Sequence, residues 1–244
     1  MGMAVSIDVR DGDVPPAAID AAVRWLHHVD ATFSTYKMES PISRFGLGEI
    51  DLDALATLDD DALYILALCE ELRVDTNGAF DAFTVPAPNG SRFDPSGVVK
   101  GWSIERAAGI LESYGAGNFC INAGGDIVVR GVEAPGRPWR IGVRHPVEPD
   151  KSAAVVDMVE QRAIATSATY ERGAHIIDPA TGGPTTDVAS VTIVGPDLTY
   201  VDAYATAVFV MGVDGLLWLL ERHPDYAGFV ITHDGRTFAT PNFG

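Results

Sequence analysis

The sequence predicts an α+β fold in a single domain spanning residues 1–244. Three observations carry that expectation. Short runs with period-two alternation cluster in the second half of the chain, and longer blocks with helical spacing lie mostly outside that cluster. Neither a regular strand–helix alternation nor a repeat of fixed period is visible, which argues against a doubly wound sheet or a solenoid.

Taken in order, residues 3–9 alternate apolar and polar and read as a strand. From Pro15 to Phe33 the spacing of Ile19, Ala22, Val23, Leu26 and Val29 is helical, with Pro15-Pro16 at the start, where proline is tolerated. Ser34 to Phe45 is rich in Ser, Thr, Lys, Glu and Pro and reads as exposed loop backbone. A second helix is expected from Asp59 to Val74, opened by three aspartates that suit its positive end. A Pro/Gly-rich stretch then runs to Gly97, followed by a third helix from Val99 to Tyr114, closed by Gly115-Ala116-Gly117. Strands are expected at 118–122, 127–129, 139–143, 153–158, 163–166, 190–194 and 229–232, with helical spacing at Val201–Met211 and Leu216–Leu220.

Composition narrows the function. Hydrophobic residues make up 47% and charged residues 21%, the usage of an ordinary globular chain. Seventeen Lys and Arg stand against 34 Asp and Glu, a net charge of -17. A general nucleic-acid binder would need the opposite sign, and anionic lipid would be repelled. A phosphate-bearing ligand would have to be attracted by something other than the overall field, and a divalent cation is the simplest agent. Cys69 and Cys120 lie in apolar runs and read as plain buried thiols. No run reaches the roughly 18 consecutive apolar residues of a membrane span. The N-terminus shows no signal-like segment and no lipid-accepting Cys, so a cytoplasmic protein is expected.

Several familiar sites are absent, including a phosphate-binding P-loop, a His-Glu-x-x-His zinc helix and a Gly-x-Ser-x-Gly elbow. Gly124-Gly125-Asp126 reads as a turn between strands that needs no chemistry. Asp202 and Thr206 stand four apart on a predicted helix, which brings a carboxylate and a hydroxyl to one face within reach of one small cation. Oxygen-only donors favour Mg2+ over zinc. The same pair also fits a helix cap and a core hydroxyl bonded to its own turn. Lys100, one of three lysines, can meet an anion at a helix start or pack its stem on Trp102. His175 suits either a structural hydrogen bond or acid/base work.

The motifs together resemble the ApbE family, the FAD:protein FMN transferases. Met1-Gly2-Met3 resembles its opening Met-Gly-Thr. Phe33-Ser34-Thr35-Tyr36 with Ser40-Pro41-Ile42-Ser43-Arg44 resembles its Ser-x-Tyr and Ser-x-Ile-Ser-Arg segment. Gly78-Ala79-Phe80-Asp81 matches a hallmark, and Asp94 to Gly101 resembles Asp-x-x-Gly-x-x-Lys-Gly. Asn122-Ala123-Gly124-Gly125 resembles the Asn-x-Gly-Gly turn. Ala165-Thr166-Ser167, His175-Ile176-Ile177-Asp178-Pro179, Thr181-Gly182, Asp202–Thr206 and Val210-Met211-Gly212 follow in order. Ala168 departs from the family, standing where many relatives carry Gly.

The resemblance implies a two-layer fold like tandem T-fold units, and an enzyme that takes FAD, releases AMP and attaches FMN to a Thr or Ser hydroxyl of an acceptor protein. Mg2+ is the implied metal. Met1, Tyr36, Ala79, Phe80, Asp81, Asp94, Lys100 and Ile176 would line the FAD site, and Asp202, Thr206 and the Gly97 carbonyl would hold the ion. His175 would be the general base, with Asp202 next in line. A Mg2+-dependent FAD pyrophosphatase and a non-catalytic flavin-binding scaffold are the alternatives.

Overall fold

The computed structural model describes residues 2–148, 150–169, 176–185 and 188–243. Its centre is a seven-stranded antiparallel sheet. In sheet order the strands are β1 (Val5–Val9), β2 (Phe119–Ala123), β3 (Asp126–Arg130), β6 (Arg162–Ala168), β7 (Val188–Gly195), β8 (Ala227–Thr232) and β9 (Thr237–Ala239). The chain's first strand therefore lies on the edge beside a strand more than a hundred residues later, with Val5 opposite Ala123 and Val9 opposite Phe119. The hairpin between β2 and β3 turns through Gly124 and Gly125, at φ of 63° and 99°. Two consecutive positive φ values suit the right-handed twist of a two-residue hairpin and are easiest for glycine.

One face of the sheet carries the helices. Among them are α1 (Pro16–Phe33), α2 (Pro41–Gly46), α3 (Leu52–Leu58), α4 (Asp60–Asp75), α5 (Ser96–Ser113), α6 (Leu198–Met211) and α7 (Gly215–Arg222). In α1 the buried residues Ala18, Ala22, Leu26, Val29 and Phe33 recur three or four apart, so one stripe of the helix enters the core while the opposite side stays in water. They join Leu68, Leu72, Ile104, Leu111, Phe119, Ile121, Val191, Ile193, Val208 and Phe209 in the main core.

A separate two-stranded ribbon, β4 (Trp139–Arg144) and β5 (Ser152–Met158), covers the other face. Trp139, Val143, Val156 and Met158 pack there against Ile127, Val129, Ile164, Val194, Phe229 and Ile231. Strands β3, β7 and β8 are consequently buried on both sides. That explains why Val188–Gly195 reads as a near-continuous apolar run without alternation.

The expected strands and main helices are present, with ends shifted by a few residues. The stretch from Ser34 to Phe45 differs. It is not exposed loop throughout: Pro41–Gly46 forms α2, with Ile42 and Ser43 fully buried. Ser40 accepts a hydrogen bond from the Ser43 N–H at 3.1 Å, and Pro41 takes the first helical position. The polar residues that suggested a loop are thus a cap and a helix start. Sequence spacing also missed α3, capped by Asp51, and the short edge strand β9.

The 25-residue run Leu198–Arg222 is long and apolar enough to cross a membrane, its most apolar 18-residue stretch having a mean hydropathy of 1.7. Over half of it is buried inside the protein, and Gly212 at φ 72° breaks it into α6 and α7. Its apolarity is that of a core helix, surrounded by α5, β6 and β7.

Helices α5 and α6 meet at a glycine. A Cβ at Gly101 would lie 2.3 Å from the Leu198 carbonyl oxygen and 2.9 Å from the Asp202 Cβ, so only glycine permits this approach. Gly101→Ala should therefore cost about 1–3 kcal/mol, the usual penalty of overpacking. Urea denaturation would register it as a lower midpoint with an unchanged slope.

Candidate active site

The α5–α6 crossing opens onto a cavity of about 560 Å3. That is within the roughly 300–1,000 Å3 of small-molecule sites. Each wall comes from a different part of the sequence. The start of α5 supplies Ser96, Gly97 and Lys100, and α6 supplies Asp202 and Thr206. The loop after α1 brings Tyr36, and the segment after α4 brings Phe80 and Asp81. Strand β6 adds Thr166, Ser167 and Ala168.

The chemistry centres on three charges. Lys100 Nζ lies 2.5 Å from Asp126 Oδ2 and 3.4 Å from Asp202 Oδ1. The carboxylates are 3% and 5% exposed, the lysine 26%. Asp202 Oδ2 accepts the Gly101 N–H at 3.0 Å, and Asp126 Oδ1 accepts the Thr166 N–H at 3.4 Å. One ammonium thus serves two buried carboxylates, which leaves a net negative charge whenever both are ionised. Burial pushes the Asp202 carboxyl up to about 7, with Asp126 adding to the rise and Lys100 opposing it.

The helix-cap reading of Asp202 does not hold. Asp197 caps α6 by accepting the Thr199 N–H at 2.8 Å, while Asp202 sits a turn further in with its carboxylate aimed across at α5. Thr206 lies one turn beyond, its hydroxyl 3.5 Å from that of Ser167. A Cβ on Gly97 would stand 3.8 Å from the Thr206 oxygen and 3.1 Å from the Phe80 ring, so the bare glycine lets helix start, hydroxyl and aromatic ring come together.

These residues fit a hard cation. The donors gathered are a carboxylate and two hydroxyls, oxygen-only donors that suit Mg2+, and the surplus buried negative charge favours a positive guest. Among the described residues no group of three or more His, Cys, Asp or Glu is placed to hold a metal.

Of the residues singled out by sequence, Tyr36, Phe80, Asp81, Asp94, Gly97, Lys100, Ile176, Asp202 and Thr206 all line this one cavity. Ala79 instead borders a shallower depression with Asn77, Asp178 and Trp218. Met1 and His175 lie outside the described residues. Asp94 is tied locally, its Oδ1 accepting the Ser96 N–H at 3.0 Å, and Asp81 Oδ1 accepts the Phe83 N–H at 2.8 Å. Asp94 thereby fixes the backbone at the start of α5, and Asp81 the turn after α4. Tyr36 is 72% exposed, at the mouth. Sequence reasoning missed Asp126, which it read as part of an inert turn, along with Ser167 and Asp30. No spacing pattern signals that Asp126 meets a lysine on a distant helix.

The fold and cavity define an antiparallel α+β protein with an acidic, oxygen-lined ligand site at the start of a helix. More particularly, the chain belongs to the ApbE family, whose family model matches residues 1–89 and 84–230. It is 36% identical over 161 residues to a FAD:protein FMN transferase of Vibrio cholerae, covering 62% of this chain and 48% of that protein. A protein of the same name from Treponema pallidum is 32% identical over 219 residues, covering 80% of this chain and 60% of that one. The chain thus spans about half the length of the curated relatives it matches. Among solved structures, the flavin transferase ApbE from Vibrio cholerae superposes with a TM-score of 0.81 at 23% identity, covering 99% of this chain and 94% of that one. That likeness shows the fold.

The raised Asp202 pKa has a sign that can be checked without ligand. A carboxyl whose folded pKa lies above its ordinary 3.8 adds stability below that value and loses it as pH rises towards about 7. In chelator, wild type should therefore lose stability relative to Asp202→Asn across that window. Parallel thermal melts of the two proteins across the pH range would measure the effect.

Proposed function

We propose that this chain is a Mg2+-dependent FAD:protein FMN transferase, moving FMN from FAD to a Thr or Ser hydroxyl of an acceptor protein and releasing AMP. The observation that carries the reading is the convergence of nine residues, most of them named by the family resemblance, on one cavity beside a buried acidic pair. The names of the relatives support it.

The chain's own groups suit the task. The start of α5 presents the positive end of an 18-residue helix, which favours a diphosphate, while its Ser96, Val98 and Val99 N–H groups are held by Asp94 and the Pro95 carbonyl. Lys100, in the next turn, adds an ammonium. Phe33, Tyr36, Phe80, Val85, Pro86 and Ile176 supply apolar and aromatic surface for flat rings. Asp202, Thr206 and Gly97 would hold Mg2+, which when bound neutralises charge on the diphosphate and on the departing AMP. In the transfer, a bond forms between the acceptor oxygen and the flavin-side phosphorus, and the bond from that phosphorus to the bridging oxygen breaks. The acceptor's proton goes to the His175 imidazole, and AMP leaves with the bridging oxygen.

Incubation with FAD, Mg2+ and a peptide bearing a Thr in a flexible Gly-rich context tests the reading by mass spectrometry. Transfer adds the FMN phosphoryl group to the peptide. Free FMN and AMP without peptide labelling would indicate the pyrophosphatase, and unchanged FAD the scaffold. For the base, His175→Ala should keep FAD and Mg2+ affinity while transfer falls by about 10²–10⁴. Transfer at the wild-type rate would move the role elsewhere.

A further inference from the structure

Asp126 stands outside every role assigned so far, yet it is among the most buried charged residues. It sits at the first position of β3, opposite Ala123 across the two-glycine turn, so the hairpin delivers it beneath the cavity. Its Oδ2 has no hydrogen-bond partner apart from its contact with the Lys100 ammonium. That ammonium lies markedly nearer Asp126, at 2.5 Å, than Asp202, at 3.4 Å. Asp202 Oδ2 is already engaged by the Gly101 N–H, so Oδ1 is the oxygen left for a cation. An ammonium fully seated on Oδ1 would compete with that cation for the same lone pairs and cancel the charge that draws it.

We propose that Asp126 is a positioning residue that holds the Lys100 ammonium off Asp202 and so leaves the Asp202 carboxylate open to a divalent cation. The inference rests on the metal site of the function proposed above. Paired with Asp126, the Lys100 ammonium stays beside the cavity, where it can face an anionic ligand while a second cation occupies Asp202. Two positive charges then share the site because two carboxylates and an anionic ligand balance them.

The test needs no FAD and no turnover. The purified full chain is titrated with Mn2+ as a paramagnetic probe of the Mg2+ site, read by loss of the free-ion spin resonance. Asp126→Asn should weaken Mn2+ binding by about tenfold or more, the scale of one unit charge moved at close range. The double variant Asp126→Asn/Lys100→Met removes the competing ammonium with its partner and should return affinity to within about threefold of wild type, well under one such step. A merely structural role would not yield that rescue. Wild-type affinity in Asp126→Asn would overturn the proposal. So would a folded double variant as weak as the single one, because Asp126 would then be a direct ligand. If Asp126→Asn fails to fold, the double variant carries the test alone. Wild type that takes up no Mn2+ would overturn the metal site itself, and this inference with it, a result separate from either variant outcome.

Discussion

The site depends on the close crossing of α5 and α6 at Gly101. That contact brings the Asp202 carboxylate to a backbone N–H in the first turns of α5, where a hydrogen bond of 3.0 Å fixes one oxygen and leaves the other facing Lys100. A larger residue would separate the helices and turn two groups in contact into two groups across a gap. Everything that makes the cavity chemically distinctive follows from this approach. The lysine, both carboxylates and Thr206 come from three elements that share no local sequence, and only their packing makes them neighbours.

Charge placement is supported by structure further along the same helices. Glu105, one turn beyond Lys100 on α5, accepts the Leu198 N–H at 2.9 Å and so satisfies a free donor at the start of α6. It also pairs with the nearly buried Arg130 of β3, which reaches Glu112 at 3.0 Å. This second set of contacts ties α5, α6 and β3 together a few residues from where Lys100, Asp202 and Asp126 join the same three elements. The two polar clusters fix the helices both along and about their axes, which a purely apolar contact would leave looser. Removing one partner from such a buried cluster costs more than an exposed ion pair would suggest, because the remaining charge is stranded.

Much of this was legible in the sequence, and the reasons are physical. Helices α1, α4 and α5 show themselves through burial stripes or first-turn signals, and the strands through β-branched runs between glycine and proline breaks. The one-turn spacing of Asp202 and Thr206 follows directly from helical geometry. What stayed hidden depends on contacts between distant segments. Helix α2 reads as loop because its Ser and Pro are equally at home in a turn, and only burial of Ile42 decides the matter. Asp126 reads as hairpin punctuation because its meaning is set by Lys100, a residue on another element. Ala79 belongs to a matching motif, but its place beside Asp178 and Trp218 is fixed by tertiary packing.

An acidic chain with an anion-suited cavity presents an electrostatic conflict that the site resolves locally. At a net charge of -17 the long-range field repels phosphates, and screening limits that field to about 10 Å at ordinary ionic strength. Inside the cavity the nearest fixed positive elements are the α5 N-terminus and Lys100, both on the same short stretch of chain. Asp126 and Asp202 reduce their pull, so the two carboxylates would be unfavourable to an anion on their own. A divalent cation on Asp202, as the proposed function requires, would make their sign useful, because it would carry more positive charge than the lysine they partly neutralise. On the proposed function, the arrangement would couple anion binding to cation binding, each guest lowering the electrostatic cost of the other.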